Sequence, residues 1–285
     1  MGSYSCLSFL TDYGLQDGFV AACHGVAARL APDVRVIDVT HLVPQGEIRR
    51  AAAVLAQTVP YFPPAVHVAV VDPGVGTSRR AVALEAGDSL FVAPDNGLLS
   101  WAADALGGVR RAHDITNSDL FVHPVSRTFH GRDIFMPAGA RLAAGLELAD
   151  VGPAVPPDQL TYLPTPRSRL ADGYAWGEVV SVDRFGNIQL SLTAEQLGRL
   201  GIRVGAGLVL KVASGTYRVS YRDTFGSVTR GELVAYTDSA GLVAVAVNGG
   251  DAAGRLGLPP GTGVCVAAVD PRARVGPLPG GFPSG

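Results

Sequence analysis

Short apolar runs alternate with segments of helical periodicity along the first half of the chain. Residues 5–11, 34–39 and 66–71 predict buried strands, and 80–85 and 89–92 predict two more. Apolar residues recur at helical spacing over 18–30, 47–59, 98–106 and 132–144, and Asp17 is placed as the N-cap of the first of these helices. This βαβα order predicts an α/β N-terminal domain with a largely parallel sheet, over 1–152. Five prolines then interrupt the pattern between Pro153 and Pro166, which marks 153–172 as a Pro-rich linker. Seven short β-rich segments follow, over 175–182, 188–192, 208–212, 217–221, 233–236, 242–247 and 264–269. Gly-containing turns separate them, so 173–270 is expected to be a small all-β, barrel-like domain. The Pro/Gly-rich stretch 271–285 is expected to be a loose tail.

Composition narrows the function. A chain of 285 residues, 47% hydrophobic and 17% charged, can bury a large core, and its length favours two domains. The net charge of -2 supplies no basic excess for neutralising phosphates, so no nucleic-acid partner is expected. Lys211 is the only lysine, which reads as compositional bias. Cys6, Cys23 and Cys265 are odd in number and form no CxxC pair, so a reducing cytoplasm is expected rather than a disulfide framework. Neither a signal peptide nor a membrane-spanning run is visible. All six histidines lie between His24 and His130, so imidazole chemistry belongs to the first domain. None has zinc-motif spacing, and no metal is expected.

Ligands of open α/β sheets bind beyond the carboxyl ends of the strands. Three polar clusters occupy such positions: Thr11-Asp12-Tyr13-Gly14 with Asp17 close behind, the run from Asp72 to Arg80, and Asp95-Asn96-Gly97. A fourth, from Thr128 to Asp133, precedes a helix. Any one of them alone reads more readily as turn and cap chemistry. Together, Arg79, His130 and the carboxylates exceed what turns require. The Asp72 cluster completes neither GxxxxGK[ST] nor GxGxxG, and the chain has no GxSxG elbow.

Six segments in order carry a resemblance: LTDYGLQDGFV (10–20), VDPGVGTSRR (71–80), APDNGLLS (93–100), TFHGRD (128–133), VDRFGNIQLSL (182–192) and the stretch around Asn248. They resemble the S-adenosylmethionine hydroxide adenosyltransferase family, whose relatives include fluorinating and chlorinating enzymes. The resemblance implies hydrolysis of S-adenosylmethionine to adenosine and methionine by SN2 attack of water at the ribose C5′, with no cofactor. It implies catalytic roles for Asp72, Arg79 and His130. Water is a weak nucleophile that must be held in line and lose a proton. An imidazole accepts protons near neutral pH, and an arginine favours an incipient hydroxide.

For substrate binding, the resemblance implies Asp12 on the ribose hydroxyls, Asp17 and Asp183 on the methionine ammonium, and Asn187 on the adenine. Phe225 and Asn248 are placed near the adenine, and Asn96 joins the substrate-binding set. A homotrimer with its sites at subunit interfaces is also implied. Two departures matter. The halogenating relatives have other residues at Asp72-Pro73-Gly74 and His130-Gly131, which favours an oxygen nucleophile here. Ala240 stands where the fluorinating relatives have an arginine, so the holder of the methionine carboxylate stays open. A halogenase and a non-catalytic S-adenosylmethionine or adenosine binding module are the alternatives.

Overall fold

The computed structural model describes residues 4–269, so the tail expected over 271–285 lies outside the described residues. The chain forms two compact units that divide between Pro164 and Thr165.

The first unit runs β1 (Cys6–Thr11), α1 (Phe19–Leu30), β2 (Arg35–Thr40), α2 (Ile48–Thr58) and β3 (Val66–Val70). It continues with β4 (Ala81–Ala86), β5 (Ser89–Pro94), α3 (Ser100–Ala105) and β6 (Val109–Asp114). A π-helical turn, Gly131–Phe135, then leads into α4 (Met136–Ala143). The sheet order is β2-β1-β3-β5-β4-β6. Strands β2, β1, β3 and β5 are parallel, whereas β4 is antiparallel to both β5 and β6. The sheet is therefore mixed. Gly87 and Asp88 alone join β4 to β5, and so short a link can make a hairpin but not a parallel crossover.

Strand alternation sorts the core into two layers. Leu7, Phe9, Val66, Val68 and Val92 pack with α1 and α4, while Leu10, Ala69, Val71 and Phe91 pack with α2 and α3. One polar pair interrupts the sheet interior. Ser8 Oγ lies 2.7 Å from His67 Nδ1, and burial pushes the His67 imidazole down to about 4.

Two local expectations need correction. Gly18, not Asp17, occupies the cap of α1, and that cap has no side-chain hydrogen bond. Strand β6 was not expected, because its sequence VRRAHD carries two arginines. It is an edge strand, and Arg110 and Arg111 both pair with the buried Glu85 of β4. The Pro-rich stretch is shared between the units. Its first part belongs to the first unit, where Pro153 accepts from Asp114 N and Val155 N donates to Ala112.

The second unit contains β7 (Arg169–Ala171), β8 (Tyr174–Val182), β9 (Ile188–Thr193), α5 (Ala194–Arg199) and β10 (Gly207–Val212). After these come β11 (Gly215–Tyr221), β12 (Leu233–Thr237), β13 (Leu242–Val247), α6 (Ala252–Leu256) and β14 (Gly263–Ala268). The order β14-β10-β11-β12-β13-β9-β8 closes on itself through the antiparallel β14–β8 pairing, giving a seven-stranded barrel with β7 outside on β8. Closure removes the sheet edges that would otherwise present unpaired backbone groups. Ile188, Leu190, Leu210, Val243, Val245 and Val264 fill the interior. Among the described residues, no helix is long and apolar enough to cross a membrane.

Candidate active site

Asp72 follows β3 by two residues, at the carboxyl end of the parallel strands. It and Arg79 end one loop, 72–79, which turns back on itself: Val75 N donates to Asp72 O, and Thr77 N to Gly74 O. The turn brings the guanidinium onto the carboxylate. Arg79 Nε lies 3.1 and 3.0 Å from the two Asp72 oxygens, and Nη2 also reaches Oδ2. Both side chains are largely buried, at 13% exposed for Arg79 and 7% for Asp72. The guanidinium stacks over the Phe135 ring, 5.0 Å from its centroid. Arg79 is thus no solvated surface arginine. Its neighbour Arg80 instead pairs with Asp95, at 2.9 Å from Nε to Oδ2.

His130 completes the group. Its Nδ1 lies 2.8 Å from Arg79 Nη2. A guanidinium only donates, so Nδ1 accepts and the neutral ring carries its proton on Nε2. Burial, and then the Arg79 charge, hold the His130 pKa below the usual histidine value, against the opposing pull of Asp72 and Asp133. The imidazole is therefore neutral at physiological pH.

The segment before His130 is held by Asp133, which is fully buried. Its Oδ2 accepts from Ser126 N at 2.8 Å, and Arg132 bridges to the same carboxylate. Tyr13 packs against the π-helical turn from the other side. A Cβ built on Gly131 would fall 2.0 Å from the Tyr13 hydroxyl, so only glycine fits. Burial, the first cause, and the nearby Asp12 and Asp72 charges raise the Tyr13 phenol pKa. Tyr13, Asp133 and Phe135 were given no role from the sequence, although the first two stand inside the quoted motifs.

The remaining candidates of the first unit differ in what they offer. Asp12 is partly buried, and its Oδ2 accepts from Gly46 N at 2.9 Å. Asp17 is exposed. Asn96 donates from Nδ2 to Val71 O at 2.8 Å and accepts from Leu98 N at 3.2 Å. Its amide therefore clips the end of β5 to the residue preceding Asp72.

The second unit holds its own group. Asp183 closes the DRFGN turn, with Oδ1 accepting from Phe185 N at 2.8 Å and Asn187 N at 2.9 Å, and Oδ2 from Asn187 Nδ2 at 2.8 Å. Gly186 supplies the positive φ of +81° that this turn needs. The Phe225 ring, half exposed, meets Tyr236 edge-on with centroids 6.2 Å apart. The Tyr236 phenol pKa is raised by burial and then by the Asp183 and Asp238 charges. Tyr236, the ring partner of Phe225, was missed by the sequence reading. Asn248 Nδ2 donates to Val228 O at 2.7 Å, fixing the segment just after Phe225.

Polar groups converging at the carboxyl ends of an α/β sheet, with a buried guanidinium shared by a carboxylate and a neutral imidazole, define an enzyme that handles a small molecule. Family comparison makes this particular. The SAM hydroxide adenosyltransferase N-terminal domain matches residues 7–152, and the C-terminal domain of the same name matches 177–265. The chain belongs to the SAM hydroxide adenosyltransferase family. It is 59% identical to an "(R)-S-adenosyl-L-methionine hydrolase" of Salinispora tropica, across 92% of this chain and 97% of that one. A protein of the same name from Thermus thermophilus is 43% identical over 89% of this chain and 96% of its own length. A crystal structure of an uncharacterized conserved protein from Thermotoga maritima superposes with a TM-score of 0.85 at 36% identity, covering 92% of this chain and 99% of that chain.

Proposed function

We infer that the protein hydrolyses S-adenosyl-L-methionine to adenosine and L-methionine by attack of water at the ribose C5′. The observation that carries the reading is the placement of Arg79 between Asp72 and a neutral His130, in a chain closely similar to named S-adenosyl-L-methionine hydrolases. The reaction consumes water and the sulfonium and releases adenosine, methionine and one proton. The leaving thioether is neutral and needs no acid. The nucleophile needs an acceptor for its proton and a positive group to favour the oxygen charge. Arg79 supplies the positive group. His130 Nδ1 supplies the acceptor, exchanging the Arg79 N–H for the proton of the water. Asp72 fixes the guanidinium and balances its charge beside a cationic substrate.

In this reading Asp12 takes the ribose hydroxyls, with Oδ2 already oriented by Gly46, and Asp17 meets the methionine ammonium. Asn96 supports the strand ends. In the barrel unit, Asp183 uses three acceptor sites within its own turn, which leaves room for one ammonium N–H. One N–H of the Asn187 amide is taken by Asp183, and the amide oxygen with the other N–H matches an adenine edge. Phe225 supplies a ring face, and Asn248 holds the segment beside it. The names of the relatives extend the proposal to the (R) configuration at sulfur.

We place the enzyme in the cytoplasm as a homotrimer, with sites formed at subunit interfaces. The division of candidate residues between two units supports the trimer, as do the exposed Leu15, Phe19 and Leu42 near the Asp12 turn. Three buried unpaired thiols support a reducing compartment; burial pushes Cys23 up to about 12 and Cys265 up to about 11.

The deciding experiment incubates the enzyme with separated sulfonium epimers, with and without chloride, in heavy-oxygen water. Adenosine labelled at its 5′ oxygen, formed faster from the (R) epimer, is the expected product. A chlorinated nucleoside, or saturable binding without product, would overturn the reading.

A further inference from the structure

A second cluster lies behind the Thr11–Gly14 turn and is absorbed by none of the chemistry above. His24 comes from α1, Asp38 from β2, and His41 from the residue after β2. The parallel β1–β2 pairing and the packing of α1 gather them, although no spacing in the sequence marks a metal motif. One ligand atom from each lies within 4.8 Å of the others. Asp38 Oδ1 is 2.8 Å from His24 Nε2 and 3.1 Å from His41 Nε2.

His41 is the informative member. It is 3% exposed, yet its Nε2 has no hydrogen-bond partner and faces the carboxylate. Its Nδ1 lies 2.9 Å from Thr11 Oγ1, an oxygen that also accepts the Tyr13 N–H. A buried ring nitrogen without a hydrogen bond is unfavourable. Two imidazole nitrogens and one carboxylate oxygen, gathered within 4.8 Å of one another, are a ligand set that relieves it. Imidazole selects zinc-class ions over magnesium and calcium. A tetrahedral zinc centre with nitrogen ligands has ligand–ligand edges of about 3.3 Å. The two separations from Asp38 Oδ1, 2.8 and 3.1 Å, reach that value with shifts of a few tenths of an ångström. The Thr11 hydroxyl on Nδ1 is the outer partner that orients a metal-bound histidine. His24 and Asp38, at 36% and 41% exposed, give an ion a route from solvent and room for water ligands.

We propose that His24, Asp38 and His41 form a binding site for a divalent transition-metal ion of the zinc class, which braces the Thr11–Gly14 turn. His41 holds that turn twice, through its side chain to Thr11 and through its carbonyl, which accepts from Gly14 N at 2.8 Å. Its role is to order the segment carrying Asp12.

The test is titration of the untagged, chelator-stripped full chain with Co(II), read by visible absorption, followed by displacement with Zn(II). One equivalent per chain with a saturable ligand-field band, and a higher Tm with Zn(II), are expected. Asp38→Asn and His24→Gln, both at accessible positions, are each expected to weaken Co(II) binding by about tenfold or more. His123→Gln, whose ring bonds Ser118 O elsewhere, is expected to leave binding unchanged. Absence of saturable uptake by the wild-type chain overturns the proposal. So does uptake that persists in both ligand variants, because that signals adventitious binding to other histidines.

Discussion

Arg79 sets the properties of the residues around it. Its charge, together with burial, keeps His130 neutral, and its N–H occupies the lone pair that must later receive a proton. The sign of the pH dependence follows. The active imidazole is the neutral form, so kcat/KM should rise with pH through a midpoint below 6.5 and then level off. A midpoint at or above 6.5 for the His130 imidazole, read by NMR titration beside the rate profile, would contradict this assignment. His130→Ala should lower kcat by about 10²- to 10⁴-fold with a much smaller change in substrate binding. Equal losses in both would remove it from the proton transfer. At this scale the sequence was informative where a motif kept its members close. Asp72 and Arg79 share one loop, and His130 sits in a conspicuous TFHGRD run. It was silent where the partner comes from a distant part of the chain, as with Tyr13 beneath Gly131 or Asp38 beside His24.

Among the elements, the π-helical turn has the least freedom. Gly131→Ala would press a methyl group into the Tyr13 hydroxyl, shifting the turn that presents His130. We expect a loss of about 1–3 kcal/mol in stability, with a fall in kcat. Tyr13→Phe in the same chain should restore part of the stability, and no rescue would show that the clash is relieved in another way. The paired strands β1 and β3 make a different prediction. Unfolded, His67 takes up a proton near pH 6.5; folded, it resists until about 4. Its neutral form therefore stabilises the fold above pH 6.5, and that contribution, up to about 3 kcal/mol, is lost as pH falls toward 4. Denaturant titrations from pH 7 to 4 should show the loss, and His67→Phe should flatten it. The strands with continuous apolar runs were legible in the sequence for the reason His67 is perturbed: they are buried on both faces. Strand β6, with Arg110 and Arg111 on an edge, has no such run. The short helices α5 and α6 contain too few turns for a periodic pattern to emerge.

For the whole molecule, the change from βαβα alternation to short β segments was enough to anticipate an α/β unit followed by a barrel. The antiparallel half of the first sheet depends on a two-residue turn, a detail that periodicity does not carry. The proposed trimer is a prediction at this scale. Sedimentation should give three chains per particle, and substitution of the exposed Leu42 by Asp should dissociate it with loss of turnover; a fully active monomer would sink the idea. The barrel's closure has a consequence for biosynthesis. Its last strand, β14, pairs with β8, its first, so the ring stays open until Gly263–Ala268 has left the ribosome. The first unit is complete far earlier and is free to fold during synthesis. The barrel sequence must wait with unsatisfied strand edges, so the nascent chain is most exposed to aggregation in the interval before β14 emerges.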